Sequence, residues 1–257
     1  MTNTLLYKID QYWDNRAEGY SKVNQEELAG SQKKNWLREI SGKIEEAYPK
    51  HQPSEIKILD IGTGPGFFAI IMAKAGYQVT AVDFTKAMLT QAKKNAKELA
   101  ERIQFLQMDG QHLTFPENSF DVVISRNLTW VLEEPGQAYH SWTKVLNKNG
   151  LLLNFDANWY GYLYDERKLQ AYEQDRIRVE KMSLEDHYTC TDIDAMEEIA
   201  RQVPLSRIQR PQWDMDTLQE LEMKQIKVDL SIWERVWSQT EKINYASTPM
   251  FMITAVK

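Results

Sequence analysis

The sequence is poor in cysteine, glycine, proline and positive charge. Cys190 is the one cysteine in 257 residues. A lone thiol forms no internal disulfide, and it builds neither a multi-thiolate metal site nor a multi-cysteine redox relay. It suits a reducing compartment. Eight prolines and 11 glycines, with no Gly/Ser-rich linker or internal repeat, predict a helix-rich chain with short loops. Apolar runs are short, such as Phe67 to Ala73. None approaches the ~18–20 residues that a membrane span needs. The start, MTNTLLYKIDQYWDNRAEGY, lacks a cationic stretch followed by an apolar core. No signal peptide is therefore expected, and the expected location is the cytoplasm. Lys and Arg total 31 against 37 Asp and Glu, a net charge of −6. That balance argues against a nucleic-acid backbone as partner.

What is present reads as globular. A hydrophobic fraction of 42% with 26% charged residues excludes a disordered or fibrous chain. The length fits one large domain, or one domain carrying an insertion. Residues 1–50 read as polar helices with interleaved aromatics (Tyr7, Tyr12, Trp13, Tyr20, Trp36), ending before Pro49 and Pro53. Over 51–157 strands and helices alternate. Ile56 to Ile61 is a strand that stops at glycines, and Phe67 to Ala75 is a helix that stops at Gly76. Tyr77 to Val82 is a strand, Thr85 to Ala100 a helix, and Ile103 to Gln107 a strand. Phe120 to Ser125 is a strand, Pro135 to Leu146 a helix closed by Asn147 to Gly150, and Leu151 to Phe155 a strand. This rhythm predicts a parallel α/β sheet. Residues 158–212 break it with helices over Tyr162 to Lys181 and from Thr191 or Asp192 to Arg201. Residues 213–257 restore it: a helix over Trp213 to Glu222, then strands over Lys224 to Leu230 and Pro249 to Val256, which pair as an antiparallel edge.

The most informative stretch is Ile58-Leu59-Asp60-Ile61-Gly62-Thr63-Gly64-Pro65-Gly66-Phe67. A strand enters three glycines spaced by two, and a helix follows. Glycines there let the backbone turn tightly and approach a ligand, and the helix N-terminus suits an anion. Asp83 closes the second strand, 17 residues after Gly66. A carboxylate at that place can accept from both hydroxyls of a ribose. Asp109-Gly110 follows the third strand, where a carboxylate can accept from the exocyclic amine of a base. Phe84 and Met88 can wall a flat ring. Ser125-Arg126 ends the fourth strand on the same rim. Each piece alone has a plainer use: a tight turn, a helix cap at Asp83, a loop acid at Asp109, a core methionine at Met88. Together they fall at successive strand ends.

These residues resemble a class I S-adenosylmethionine (SAM) dependent methyltransferase. The blocks are ILDIGTGPG, VTAVDFT, MDGQHLTFPENSFDVVISRNLTWVL and KVLNKNGLLLNFD. The resemblance is close over about 50–157 and loose elsewhere. It implies a doubly wound, mostly parallel, seven-stranded Rossmann-like sheet, with an N-terminal helical cap (1–50), an α/β core (51–157), a helical insertion after strand five (158–212) and a C-terminal completion (213–257). It implies SAM as cofactor and a small-molecule methyl acceptor as partner. Gly62, Thr63 and Gly64 would lie against the methionine part with Asp60 nearby. Asp83 would bind the ribose, Phe84 and Met88 would flank the adenine, and Asp109 and Gly110 would meet its amine. Ser125 and Arg126 would bring backbone groups to the cofactor amino group. The pattern Tyr12-Trp13-x-x-Arg16-Ala17-x-x-Tyr20 resembles the cap of small-molecule members, in which Tyr20 would close over the methionine carboxylate.

The acceptor is expected under the cap and the insertion. Asp156 and His112 are the two candidate bases, set against a capping role and a surface-loop role respectively. Trp159, Tyr160, Tyr162 and Tyr164 could form an aromatic cage, or pack the insertion onto the sheet. Trp130 is expected to face the same space. No metal is required for methyl transfer. A nicotinamide dehydrogenase fits less well, because Gly66 comes one position early and Phe67 takes the place of the third glycine. A protein or RNA methyltransferase and a non-catalytic SAM-binding protein are the remaining alternatives.

Overall fold

The computed structural model describes residues 4–187 and 191–257. Cys190 lies outside the described residues. In chain order the elements are α1 (Leu5–Ala29), α2 (Gln32–Ala47), β1 (Lys57–Ile61), α3 (Phe67–Lys74), β2 (Gln78–Asp83), α4 (Lys86–Ala96), β3 (Ile103–Gln107), β4 (Phe120–Arg126), α5 (Pro135–Val145), β5 (Leu146–Asp156), α6 (Glu166–Lys181), α7 (Ile193–Ala200), α8 (Gln212–Glu220), β6 (Lys224–Asp229), α9 (Ile232–Val236), α10 (Gln239–Asn244) and β7 (Phe251–Val256).

Alternation along the strands builds two cores. Ile58, Val122 and Leu151 face one side of the sheet with Trp36 and Ile40 of α2 and Phe68 of α3. Leu59, Val123 and Leu152 face the other with Tyr139 and Trp142 of α5 and Leu218 of α8. Successive side chains point to opposite faces of a strand, so an apolar run such as β1 has to be covered on both sides. The seven strands run β3-β2-β1-β4-β5-β7-β6. Neighbours from β3 through β5 are parallel, and β7 is antiparallel to both β5 and β6. The order reverses beside β1, between β2 and β4, which opens a crevice at their carboxyl ends.

The sheet and the antiparallel β6–β7 pair match the sequence expectations. Two differences concern the end of the chain and one turn. Asn147 to Gly150 belong to β5 rather than to a separate turn, and the β4–β5 register shifts between Phe120 and Val122. Gly150 permits this irregularity, since a Cβ there would meet the Asn147 carbonyl oxygen at 2.7 Å. The short helices α9 and α10 between β6 and β7 were not anticipated, because five and six residues are too few to show a helical period.

The cap is fixed to the sheet by a buried ion pair. Glu27 of α1 takes both Arg126 nitrogens, at 2.7 and 3.0 Å. The guanidinium lies 4.8 Å from the Phe67 ring centroid and 5.1 Å from that of Phe68. Asn95 of α4 adds a polar tie, donating to Ser21 of α1 and to the Pro65 carbonyl, both at 3.0 Å. No helix among the described residues is long and apolar enough to cross a membrane.

Candidate functional site

The crevice at the strand ends deepens into one cavity of about 910 Å³. Its floor is the glycine turn after β1. Gly62 and Gly64 have φ of +67° and +53°, the left-handed region that glycine adopts without a Cβ clash. A Cβ on Gly62 would lie 2.8 Å from Leu128 Cδ2, whereas one on Gly64 would meet the Tyr20 ring at 3.5 Å. The Tyr20 ring from α1 therefore covers the turn.

Three carboxylates stand around that floor. Asp60 is buried and accepts from the Thr63 hydroxyl at 2.6 Å and the Ala69 N–H at 3.0 Å. Burial pushes its carboxyl up to about 7 despite these bonds. Asp83 accepts from the Gly64 N–H at 2.8 Å and the Thr85 N–H at 2.9 Å. Burial raises it to about 6. A carboxylate has about four acceptor positions, so two remain at Asp83 for a ligand. Asp109 accepts from the Gln111 N–H at 2.9 Å and faces His112 Nδ1 at 3.3 Å.

Among the sequence-predicted cofactor residues, Tyr20, Asp60, Gly62, Thr63, Gly64, Asp83, Phe84, Met88, Asp109, Gly110 and Arg126 all line this cavity. Ser125 does not. It is fully buried in β4, and its hydroxyl donates to the Ile61 carbonyl at 3.0 Å. The Arg126 side chain, expected to matter only through its backbone, pairs with Glu27. The long-range partner gave no local signal in the sequence.

Neither candidate base lines the cavity. Asp156 is fully buried, where its Oδ2 accepts from Arg210 Nη1 at 2.7 Å and from the Trp130 N–H at 3.0 Å. Arg210 also binds Asp214 at 2.6 and 2.9 Å, and both its side chain and the two carboxylates are shielded from solvent. Asp156 is thus the anchor that ties β5 to the end of the insertion, and an acceptor has no path to it. His112 is on the surface, between Asp109 and Glu134.

The aromatic expectation divides in the same way. Trp130, Trp159 and Tyr160 line the cavity. Tyr162 stacks on Tyr172 at 4.1 Å and donates to Glu197, and Tyr164 reaches the Arg201 carbonyl. Unforeseen from sequence, Trp237 and Tyr245 flank α10 and line the cavity with Glu241. Among the described residues no group of three or more His, Cys, Asp or Glu side chains could hold a metal ion.

The sequence profile of a methyltransferase domain family matches residues 59–154, the stretch that carries the glycine turn and all three carboxylates. That stretch is similar to methyltransferase domains, and the fold around it is the one that such enzymes share. The chain shares its fold with a structure from Methanococcus maripaludis, described provisionally as an S-adenosyl-L-methionine-dependent methyltransferase. The TM-score is 0.60 at 19% identity, over 95% of this chain and 93% of that one. In sequence it is 28% identical over 116 residues to a phosphatidylethanolamine N-methyltransferase of Cereibacter sphaeroides, covering 42% of this chain and 57% of that protein. It is also 28% identical over 128 residues to a demethylmenaquinone methyltransferase of Lactiplantibacillus plantarum, covering 48% and 51%. The chain spans about half the length of the curated relatives it matches.

Proposed function

We propose that this chain binds SAM at the glycine turn and transfers its methyl group to a small-molecule acceptor held in the same cavity. The observation that carries the reading is the placement of Asp83 and Asp109 at consecutive strand ends beside the Gly62–Gly64 turn, all three facing one cavity. The residues fit the cofactor. Asp83 has acceptor capacity for two ribose hydroxyls, and Asp109 has it for an adenine amine. Phe84 and Met88 supply apolar walls, and the turn lacks the side chains that would bar the methionine part. A volume near 910 Å³ is at the upper end for a single small ligand and leaves room for a second.

Bound SAM would supply an electrophilic methyl on a sulfonium, so no residue of the chain has to activate it. What the chain supplies is position. The Tyr20 ring over Gly64 and the Glu27–Arg126 pair hold the cap against the sheet and shield the reaction space from water. Desolvation raises the Tyr20 hydroxyl above its ordinary value, so it stays a neutral donor. Arg126 remains protonated beside Glu27. The single cysteine and the net charge of −6 support a cytoplasmic enzyme that acts on something other than nucleic acid. The test is incubation with methyl-labelled SAM and pools of small acceptors. Label should pass to a small product. Label in protein or RNA instead would move the chain to the alternative class.

A further inference from the structure

The acceptor half of the cavity has a chemistry of its own. Trp237, Glu241 and Tyr245, spaced by four residues across α10, all line it. The Tyr245 ring lies 5.5 Å from that of Trp237 and 5.2 Å from that of Trp159, the latter edge to face. Glu241 Oε2 accepts from the Ser238 N–H at 2.7 Å and Gln32 Nε2 at 2.6 Å. Among the described residues Glu241 makes no salt bridge. Arg126, whose charge lowers the Glu241 carboxyl, is already bound by both Glu27 oxygens. Glu27, Arg126 and Glu241 together leave one negative charge beside three aromatic rings.

The whole wall leans the same way. Eight carboxylates line the cavity among the described residues, against three Lys or Arg side chains. His187 lines it too, but burial lowers its pKa, so it adds no charge at neutral pH. Two lining groups also lack a polar partner. The Trp159 indole N–H and the Asn127 side-chain carbonyl are buried with no hydrogen bond, and Trp159 is 9% exposed. The unpaired Asn127 carbonyl can accept from a ligand N–H, while the Trp159 N–H calls for an acceptor atom elsewhere on the ligand.

We propose that the acceptor is an aliphatic amine, held as its ammonium ion against the Trp159, Trp237 and Tyr245 rings, with Glu241 taking its proton before methyl transfer. The inference rests on the SAM reading above. The ammonium gives one proton to the Glu241 carboxylate, which frees the nitrogen lone pair. The N–CH3 bond then forms as the methyl–sulfur bond breaks, with that electron pair going to sulfur. Glu241 passes its proton to water. Burial and the Glu27 charge both raise the Glu241 carboxyl, while Arg126 and the Ser238 bonds lower it. The net rise suits a proton acceptor. Aromatic faces attract a cation with an energy equivalent to roughly 2–30-fold in affinity, and a neutral group of the same shape gains none of it.

The test is calorimetric titration of the full chain, saturated with S-adenosylhomocysteine, with choline and with its uncharged isostere 3,3-dimethylbutan-1-ol. Choline is expected to bind about tenfold or more tightly than the isostere. Glu241→Gln and Trp237→Leu are expected to weaken choline about fivefold or more while leaving the S-adenosylhomocysteine affinity unchanged. Thermal melts check that both variants fold, and the isostere comparison needs no variant. Equal binding of the two probes, or no choline binding with S-adenosylhomocysteine bound, overturns the amine and leaves the cofactor reading standing. Failure of S-adenosylhomocysteine itself to bind overturns the cofactor reading and the amine with it.

Discussion

Replacing Asp83 by Asn separates ligand binding from folding. In the free protein the Asp83 carboxylate holds two backbone N–H groups, those of Gly64 at 2.8 Å and Thr85 at 2.9 Å. An amide has one oxygen, so one N–H keeps its acceptor and the other faces an NH2 group. Losing a hydrogen bond to a charged acceptor costs about 1.5–3 kcal/mol. Asn also removes a carboxyl that burial makes unfavourable in its ionised form, as its rise to about 6 shows. That relief offsets part of the loss, and the net change in stability should stay within about 1–2 kcal/mol. Cofactor binding has no such offset. A ribose that loses a charged acceptor for its hydroxyls loses about 1.5–3 kcal/mol, or roughly 10–150-fold in affinity. Urea denaturation reads the first quantity, and calorimetric titration with S-adenosylhomocysteine reads the second. A folded variant whose affinity stays within about twofold of the parent refutes the placement of the ribose at Asp83.

Four further outcomes follow from the contacts described above. Binding of S-adenosylhomocysteine should weaken as pH falls through about 7 and then about 6, since Asp60 and Asp83 lose their charge there; a flat profile of affinity against pH contradicts this. Stability of the free chain should move the other way. Both carboxyls are raised from 3.8, so the folded state binds more protons than the unfolded state, and their contribution is lost as pH rises from about 4 through about 7; chemical denaturation across that window measures it. Arg210→Met should destabilise the chain by about 3–5 kcal/mol, because it strands Asp156 and Asp214 as buried charges; urea denaturation showing under about 1 kcal/mol would contradict the buried triad. Gly62→Ala should cost more stability than Gly64→Ala. Both positions have positive φ, a cost of about 1–2 kcal/mol each, but only the Gly62 Cβ collides with Leu128, at 2.8 Å; equal costs would contradict the packing described.

The parts of the site that could be read from the sequence are those made by local spacing. A strand, a glycine turn and a helix follow one another within ten residues, Asp83 ends the second strand and Asp109 follows the third. Their arrival at one rim follows from the parallel topology, which the alternation of strands and helices had already indicated. The parts that could not be read depend on partners far apart in the chain. Asp156 leaves β5 at the end of the sheet where an acceptor base would stand. Arg210, 54 residues later, takes it into a buried ion pair. Arg126 and Glu27 are 99 residues apart, and neither has a neighbour in sequence that announces the other. Glu241 lies in a helix too short to show a period and Trp237 and Tyr245 flank it, so their convergence on the cavity appears only once β7 returns the chain to β5.

Every role proposed for the cavity depends on the glycine turn and its carboxylates holding SAM. Equilibrium dialysis of the purified chain with radiolabelled SAM, with labelled NADH in parallel, tests this directly. Saturable binding of one SAM per chain, displaced by S-adenosylhomocysteine and absent for NADH, is the result predicted. No saturable SAM binding up to about 1 mM, a free energy weaker than about −4 kcal/mol, or saturable binding of NADH instead, would contradict it.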